Sequence, residues 1–207
     1  MKEYRFGNIR ERDMDLLFLE AIGTDNGFAD LVVSKTKWAG KSFEVRKIEL
    51  SRTDPQLGES DITVLVSVNG VSNAILIEDK IDAIAIPEQY LRYFCRGEKD
   101  RSADVYDDFE VLMICPKRYH EENEEAQKYE IFLTYEECAE YFNKKDDEIS
   151  CLRAAQLNAA ISKAKKPAEV VLNEDANSFF KQYRQIHQQK YFMVDMRSKE
   201  TANGWWI

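Results

Sequence analysis

The sequence predicts an α/β domain: a mixed central sheet of about five strands flanked by helices, with an additional C-terminal helical segment. Three observations carry this expectation. An amphipathic helical pattern over residues 11–22 precedes the strands. Two apolar, β-branched runs, residues 62–68 and 71–78, flank Asn69-Gly70, the strongest short-range hairpin signal. Beyond the hairpin, helical and strand patterns alternate, giving helix, three strands, helix, strand, helix, strand and then helices. A length of 207 residues suits one core plus a small appendage, divided here into 1–172 and 173–207.

In order along the chain, Asp13 is read as the N-cap of the first helix, with Leu16, Leu19, Ala21 and Ile22 facing the core. Glu20 lies near that apolar side, where a carboxylate needs a partner or a cation. Gly23 and Gly27 bound a break, and residues 28–33 continue as helix. Residues 43–51 alternate imperfectly as a strand, and 52–58, with Asp54-Pro55, read as a loop. Pro87 fits the first turn of a helix that Gly97 would close. Residues 109–115 form a buried strand stopped by Pro116, and 119–128 a charged surface helix. A short strand at 130–133 precedes Thr134-Tyr135-Glu136-Glu137, a capping box for a helix through Phe142. Long helices follow at 146–165, ended by Pro167, and at about 176–196. Residues 173–177 are the expected joint, and the apolar ending 204–207 reads as the start of a strand or the stub of a longer chain.

Composition narrows the class. Hydrophobic content of 44% argues against disorder. No apolar run approaches the roughly 20 residues that span a bilayer, and Met1-Lys2-Glu3-Tyr4-Arg5 lacks the apolar core of a signal peptide. A cytoplasmic protein with no membrane partner is expected. Cys95, Cys115, Cys138 and Cys151 are widely spaced, as for small buried hydrophobes. His120 and His187 are isolated and read as surface residues. The net charge of −9 disfavours a nucleic-acid partner on average, but residues 151–207 carry nine Lys/Arg against five Asp/Glu. Lys163, Lys165, Lys166, Lys181, Arg184 and Lys190 there supply either phosphate contacts or a solvated face.

The chemistry gathers at one end of the hairpin. Alternation along a strand turns Glu78 and Lys80 to one face and Asp79 to the other. The Asn69-Gly70 turn sets Asp61 opposite Glu78. Paired carboxylates repel unless something cationic lies between them, and Mg²⁺, with Mn²⁺ as substitute, suits hard oxygen ligands that share the ion with water and phosphate. Lys80 beside them would position the attacking water or stabilise developing charge. A cross-strand salt bridge at a sheet edge is the plain structural account of the same residues. Asp79 and Asp82 are read as solvated or capping residues.

Asp61, followed after sixteen residues by Glu78-Asp79-Lys80, resembles the PD-(D/E)XK nuclease superfamily, although Ser60 stands where a proline is common. Gln89 and Tyr93, four apart on one helical face, are similar to the Gln-x-x-x-Tyr element of its RecB-like and lambda-exonuclease-like branch. The likeness covers roughly residues 10–135. It implies a restriction-endonuclease-like core in αβββαβ order and Mg²⁺-dependent phosphodiester hydrolysis, with DNA ahead of RNA as substrate. It also implies that Asp61, Glu78 and Lys80 are catalytic and that Asp61 and Glu78 hold metal with first-helix Glu20. Gln89 and Tyr93 would orient the helix and the nucleic-acid strand. A homo-oligomer is compatible with this reading. Two alternatives accompany it: a catalytically silent nucleic-acid-binding or assembly module of the same fold, and a regulated effector that needs a partner or a missing C-terminal region.

Overall fold

The computed structural model describes residues 2–55, 57–84, 86–165 and 174–191. The chain divides into two compact units, Met1–Lys166 and Pro167–Ile207.

The first unit opens with helices α1 (Glu11–Thr24) and α2 (Asn26–Val33). Strands β1 (Phe43–Asp54), β2 (Gly58–Val68) and β3 (Val71–Asp79) follow. Next come helix α3 (Gln89–Ser102), strand β4 (Asp108–Cys115), short helix α4 (Lys117–Glu122) and a 3₁₀ turn (Ala126–Lys128). Strand β5 (Phe132–Thr134) and helices α5 (Tyr135–Asn143) and α6 (Glu148–Ala164) complete it. The five strands lie in chain order, so β3 is central. β1, β2 and β3 are antiparallel neighbours, whereas β3–β4 and β4–β5 are parallel.

The hairpin register runs as the turn requires: Ile62 pairs with Ile77 and Val68 with Val71. Asn69 (φ 52°) and Gly70 (φ 84°) both take the left-handed conformation of a type I′ turn. Alternation along the central strands divides the core in two. Val64, Val66, Ile75, Ile77, Leu112 and Ile114 pack with the apolar faces of α1, α2, α5 and α6. Ala74, Leu76, Val111 and Met113 form a second cluster with Tyr93 of α3 and Tyr129.

Several local expectations are corrected. The buried face of α1 is Met14, Leu17, Phe18, Ala21 and Ile22, with Leu16 half exposed, so the helix is turned from the expected phase. Asp13 lies inside that helix and accepts from the Arg10 backbone N–H at 2.8 Å. β1 loses its period at a bulge between Val45 and Lys47, which adds a residue to one strand only. Most of the expected 52–58 loop is strand, because Arg52, Thr53 and Asp54 pair with Ser60, Glu59 and Gly58. Gly97 lies within α3 rather than at its end, where a β-carbon would collide with the Phe109 ring. The helix expected at 119–128 is split into α4 and the 3₁₀ turn. Cys115 and Cys138 are buried as expected, Cys151 is partly buried and Cys95 is exposed. His120 is partly buried, its ring stacked on Phe132 at 3.8 Å between centroids.

In the second unit, helix α7 (Glu174–Lys190) already includes residues 174–177 of the expected joint. Asn173 and the apolar ending 204–207 lie outside the described residues. No helix among the described residues is long and apolar enough to cross a membrane.

Candidate active site

The end of β3 distributes its acids by parity. Glu78 shares a face with Ala74 and Leu76, toward α3, and Asp79 shares one with Ile75 and Ile77, toward α1 and α5. Each meets a polar side chain from the helix it faces. Gln89 Nε2 donates to Glu78 Oε1 in a very short hydrogen bond, and the Tyr135 hydroxyl donates to Asp79 Oδ1 at 2.7 Å. Lys80 Nζ lies 2.6 Å from Glu78 Oε1 and 3.6 Å from Glu11 Oε2, and donates to the Asp79 carbonyl at 3.2 Å.

Asp61 reaches the same place from β2. Its Oδ2 accepts from the Asp79 backbone N–H at 2.9 Å, and its own N–H donates to the Tyr93 hydroxyl at 3.0 Å. That hydroxyl also lies 3.4 Å from the Ile77 carbonyl, so one buried side chain ties β2 to β3. Asp61, Glu78, Lys80, Gln89 and Tyr93 are therefore brought together. Tyr93 is only 1% exposed, and its hydroxyl is engaged within the protein by the Asp61 N–H.

Glu20 is held elsewhere. Arg153 donates to it from Nε at 2.9 Å and from Nη2 at 2.5 Å, and the Thr24 hydroxyl adds a third bond at 3.0 Å. At about 100° per residue, Glu20 lies roughly 140° around α1 from Asp15, whereas Glu11 and Asp15 share a face. That face meets the strand ends: Glu11 Oε1 accepts from the Ile81 N–H at 3.1 Å, and Asp15 is buried near Asp61. Sequence reasoning passed over both. Their signal was an i, i+4 pair of acids whose second member adjoins Met14 and Leu17, on the stripe that is buried. Asp79 is fully buried rather than solvated because it continues the Ile75-Ile77 stripe. Asp82 is exposed and pairs with Lys163 at 3.2 Å.

The site carries an excess of negative charge. Glu11, Asp15, Asp61, Glu78 and Asp79 face Lys80 and Arg12. Burial, then Glu78 alongside, pushes the Asp61 carboxyl up to about 7. Burial, then Asp61, does the same for Asp15, and Asp79 is raised well above the usual carboxylate range by burial and Asp15. Burial works against the Lys80 ammonium, yet Glu78, Asp61 and Glu11 outweigh it and hold its pKa above the ordinary lysine value.

Hard-cation chemistry fits these donors. Glu78 Oε2 is buried without a partner, and the surplus acids would be relieved by a divalent ion as by protons. Among the described residues, no three acid, histidine or cysteine groups are disposed to hold an ion as they stand, and Lys80 pairs with both Glu78 and Glu11. Mg²⁺ requires only one or two carboxylates, which Asp61 and Glu78 supply. Compared with known proteins, the chain matches no family model, no curated protein and no solved structure.

Proposed function

We propose that this chain is a metal-dependent nuclease of the PD-(D/E)XK kind that hydrolyses phosphodiester bonds, in DNA ahead of RNA. The observation that carries the reading is the convergence of Asp61, Glu78 and Lys80 at the ends of adjacent strands, with Gln89 on Glu78 and Tyr93 on the Asp61 backbone. Asp61 and Glu78 would hold Mg²⁺ or Mn²⁺, which when bound supplies Lewis acidity toward phosphoryl oxygen and acidifies a bound water. The chain's own groups do the positioning. The Asp79 N–H fixes the Asp61 carboxylate, and Gln89 fixes that of Glu78. Lys80, kept protonated by its acid neighbours, stabilises negative charge developing on phosphorus and is not the base. In this reading Gln89 and Tyr93 hold the acids in place, and Glu20 has a structural role with Arg153.

The test is cleavage of single- and double-stranded DNA and RNA with Mg²⁺ or Mn²⁺. Activity should fall by about a hundredfold or more in Glu78→Gln and in Lys80→Ala. No cleavage of any substrate, or cleavage unchanged in Lys80→Ala, would sink the proposal. The 2.6 Å Lys80–Glu78 pair favours a second reading, a silent binding module in which lysine replaces the metal. Under that reading Mn²⁺ does not bind, and Asp61→Asn changes nothing in a metal titration.

A further inference from the structure

We propose that Arg96, with Arg92 at its rim, forms an oxyanion subsite beside Asp61 that takes a phosphate of the nucleic-acid strand; this rests on the nuclease reading. An open cleft of about 360 Å³ is lined by Asp61, Ile86, Gln89, Arg92, Tyr93 and Arg96. Arg96 lies at the third position of a helical face, since Gln89, Tyr93 and Arg96 are spaced i, i+4, i+7 on α3. It is 3% exposed, and only Nη1 is used, donating to the Gly58 carbonyl at 2.7 Å with Leu57 at 3.5 Å. Nε and Nη2 have no hydrogen-bond partner. A buried guanidinium with two idle donors is an unfavourable arrangement that a bidentate oxyanion completes.

The position relative to the acids gives the phosphate a purpose. The Arg96 guanidinium sits 4.4 Å from the centre of the Tyr93 ring, and the hydroxyl of that ring accepts from the Asp61 N–H. One side chain thus spaces the anion subsite from the candidate metal carboxylate. Both idle nitrogens are closed to solvent, so a phosphate engages them through a shift of the rim, where Ile86 is exposed and Arg92 partly so. Glu59 and Asp61 line the same cleft. Phosphate binding is therefore stronger when a divalent ion neutralises Asp61, and a free carboxylate ligand is disfavoured.

The experiment measures anisotropy of a short fluorescein-labelled single-stranded oligonucleotide with Ca²⁺ in place of Mg²⁺, alongside Mn²⁺ binding and thermal melting of each variant. Arg96→Gln should weaken binding about tenfold or more and make the salt dependence shallower by about one ion. Arg92→Gln, at the partly exposed rim, should weaken it less. Inorganic phosphate should compete with the oligonucleotide on wild type and not on Arg96→Gln. Unchanged affinity in a folded Arg96→Gln overturns the subsite, and if that variant does not fold, unchanged affinity in Arg92→Gln together with no phosphate competition on wild type does so. Arg96-dependent binding of inorganic phosphate without oligonucleotide binding overturns the assignment to a strand. Intact Mn²⁺ binding in those cases leaves the nuclease reading standing, whereas absent Mn²⁺ binding by wild type defeats that reading instead.

Discussion

Replacing Tyr93 with phenylalanine removes a single oxygen and separates two roles for this residue. The ring stays, so packing with Tyr129 and the stack under Arg96 persist. What goes is the acceptor for the Asp61 N–H at 3.0 Å and a weak donor to Ile77 at 3.4 Å. An N–H deprived of its partner in the interior loses about 1–3 kcal/mol, and the longer second bond adds little, so a loss of about 2 kcal/mol is expected. For a chain of this size that is roughly a 4–8 °C fall in Tm. Thermal melting followed by circular dichroism, with Mn²⁺ titration of wild type and Tyr93→Phe, provides the assay. Mn²⁺ affinity should drop with stability, because Asp61 loses its backbone anchor. A variant that melts like wild type but binds oligonucleotide less well would refute the positioning role and return Tyr93 to the nucleic-acid interface.

Three further outcomes are expected. Glu20→Gln should leave Mn²⁺ affinity within about twofold while lowering Tm by a few degrees, because its carboxylate belongs to Arg153; a large loss of affinity would return it to the metal site. Gly97→Ala should destabilise despite alanine's helix preference of about 1 kcal/mol, since the new β-carbon meets the Phe109 ring; an increase in Tm would contradict that packing. Asp15, with its carboxyl at about 7 against 3.8 when unfolded, holds a proton in the native state over that interval. Its contribution is full below the unfolded value and is lost as pH rises through 7. In chelated protein Asp15→Asn should flatten the decline between pH 4 and 7 and stabilise at pH 8 by on the order of 2 kcal/mol, read from urea unfolding.

The sequence made the hairpin and the nearness of Asp61 to Glu78 legible because a two-residue turn and strict alternation are local rules, although the ladder itself ends at Ile62 and Ile77. It did not show what each face would meet. Alternation sends Asp79 away from Glu78 correctly, but that direction is an interior one because elements distant in the chain, among them α1 and Tyr135 of α5, cover the Ile75-Ile77 face. The first helix failed by phase: choosing Leu16 and Leu19 over Leu17 and Phe18 turned the face, placing Glu20 at the site and hiding Glu11 and Asp15. Gly97 reads locally as punctuation, whereas its reason is the approach of a ring from β4. The bulge in β1 is visible only as a broken period, since the extra residue shows itself against a partner strand.

The central placement of β3 has a consequence for how such an enzyme would fail. Its C-terminal end carries Glu78 and Asp79, with Lys80 next in the chain; the strand is antiparallel with β2 up to Ile77 and parallel with β4 through Asp79. The backbone amides there should be among the slowest to exchange with deuterium, opening only with the whole sheet. Loss of function on heating should then coincide with global melting, with no earlier stage in which a frayed catalytic segment leaves an otherwise folded, inactive molecule.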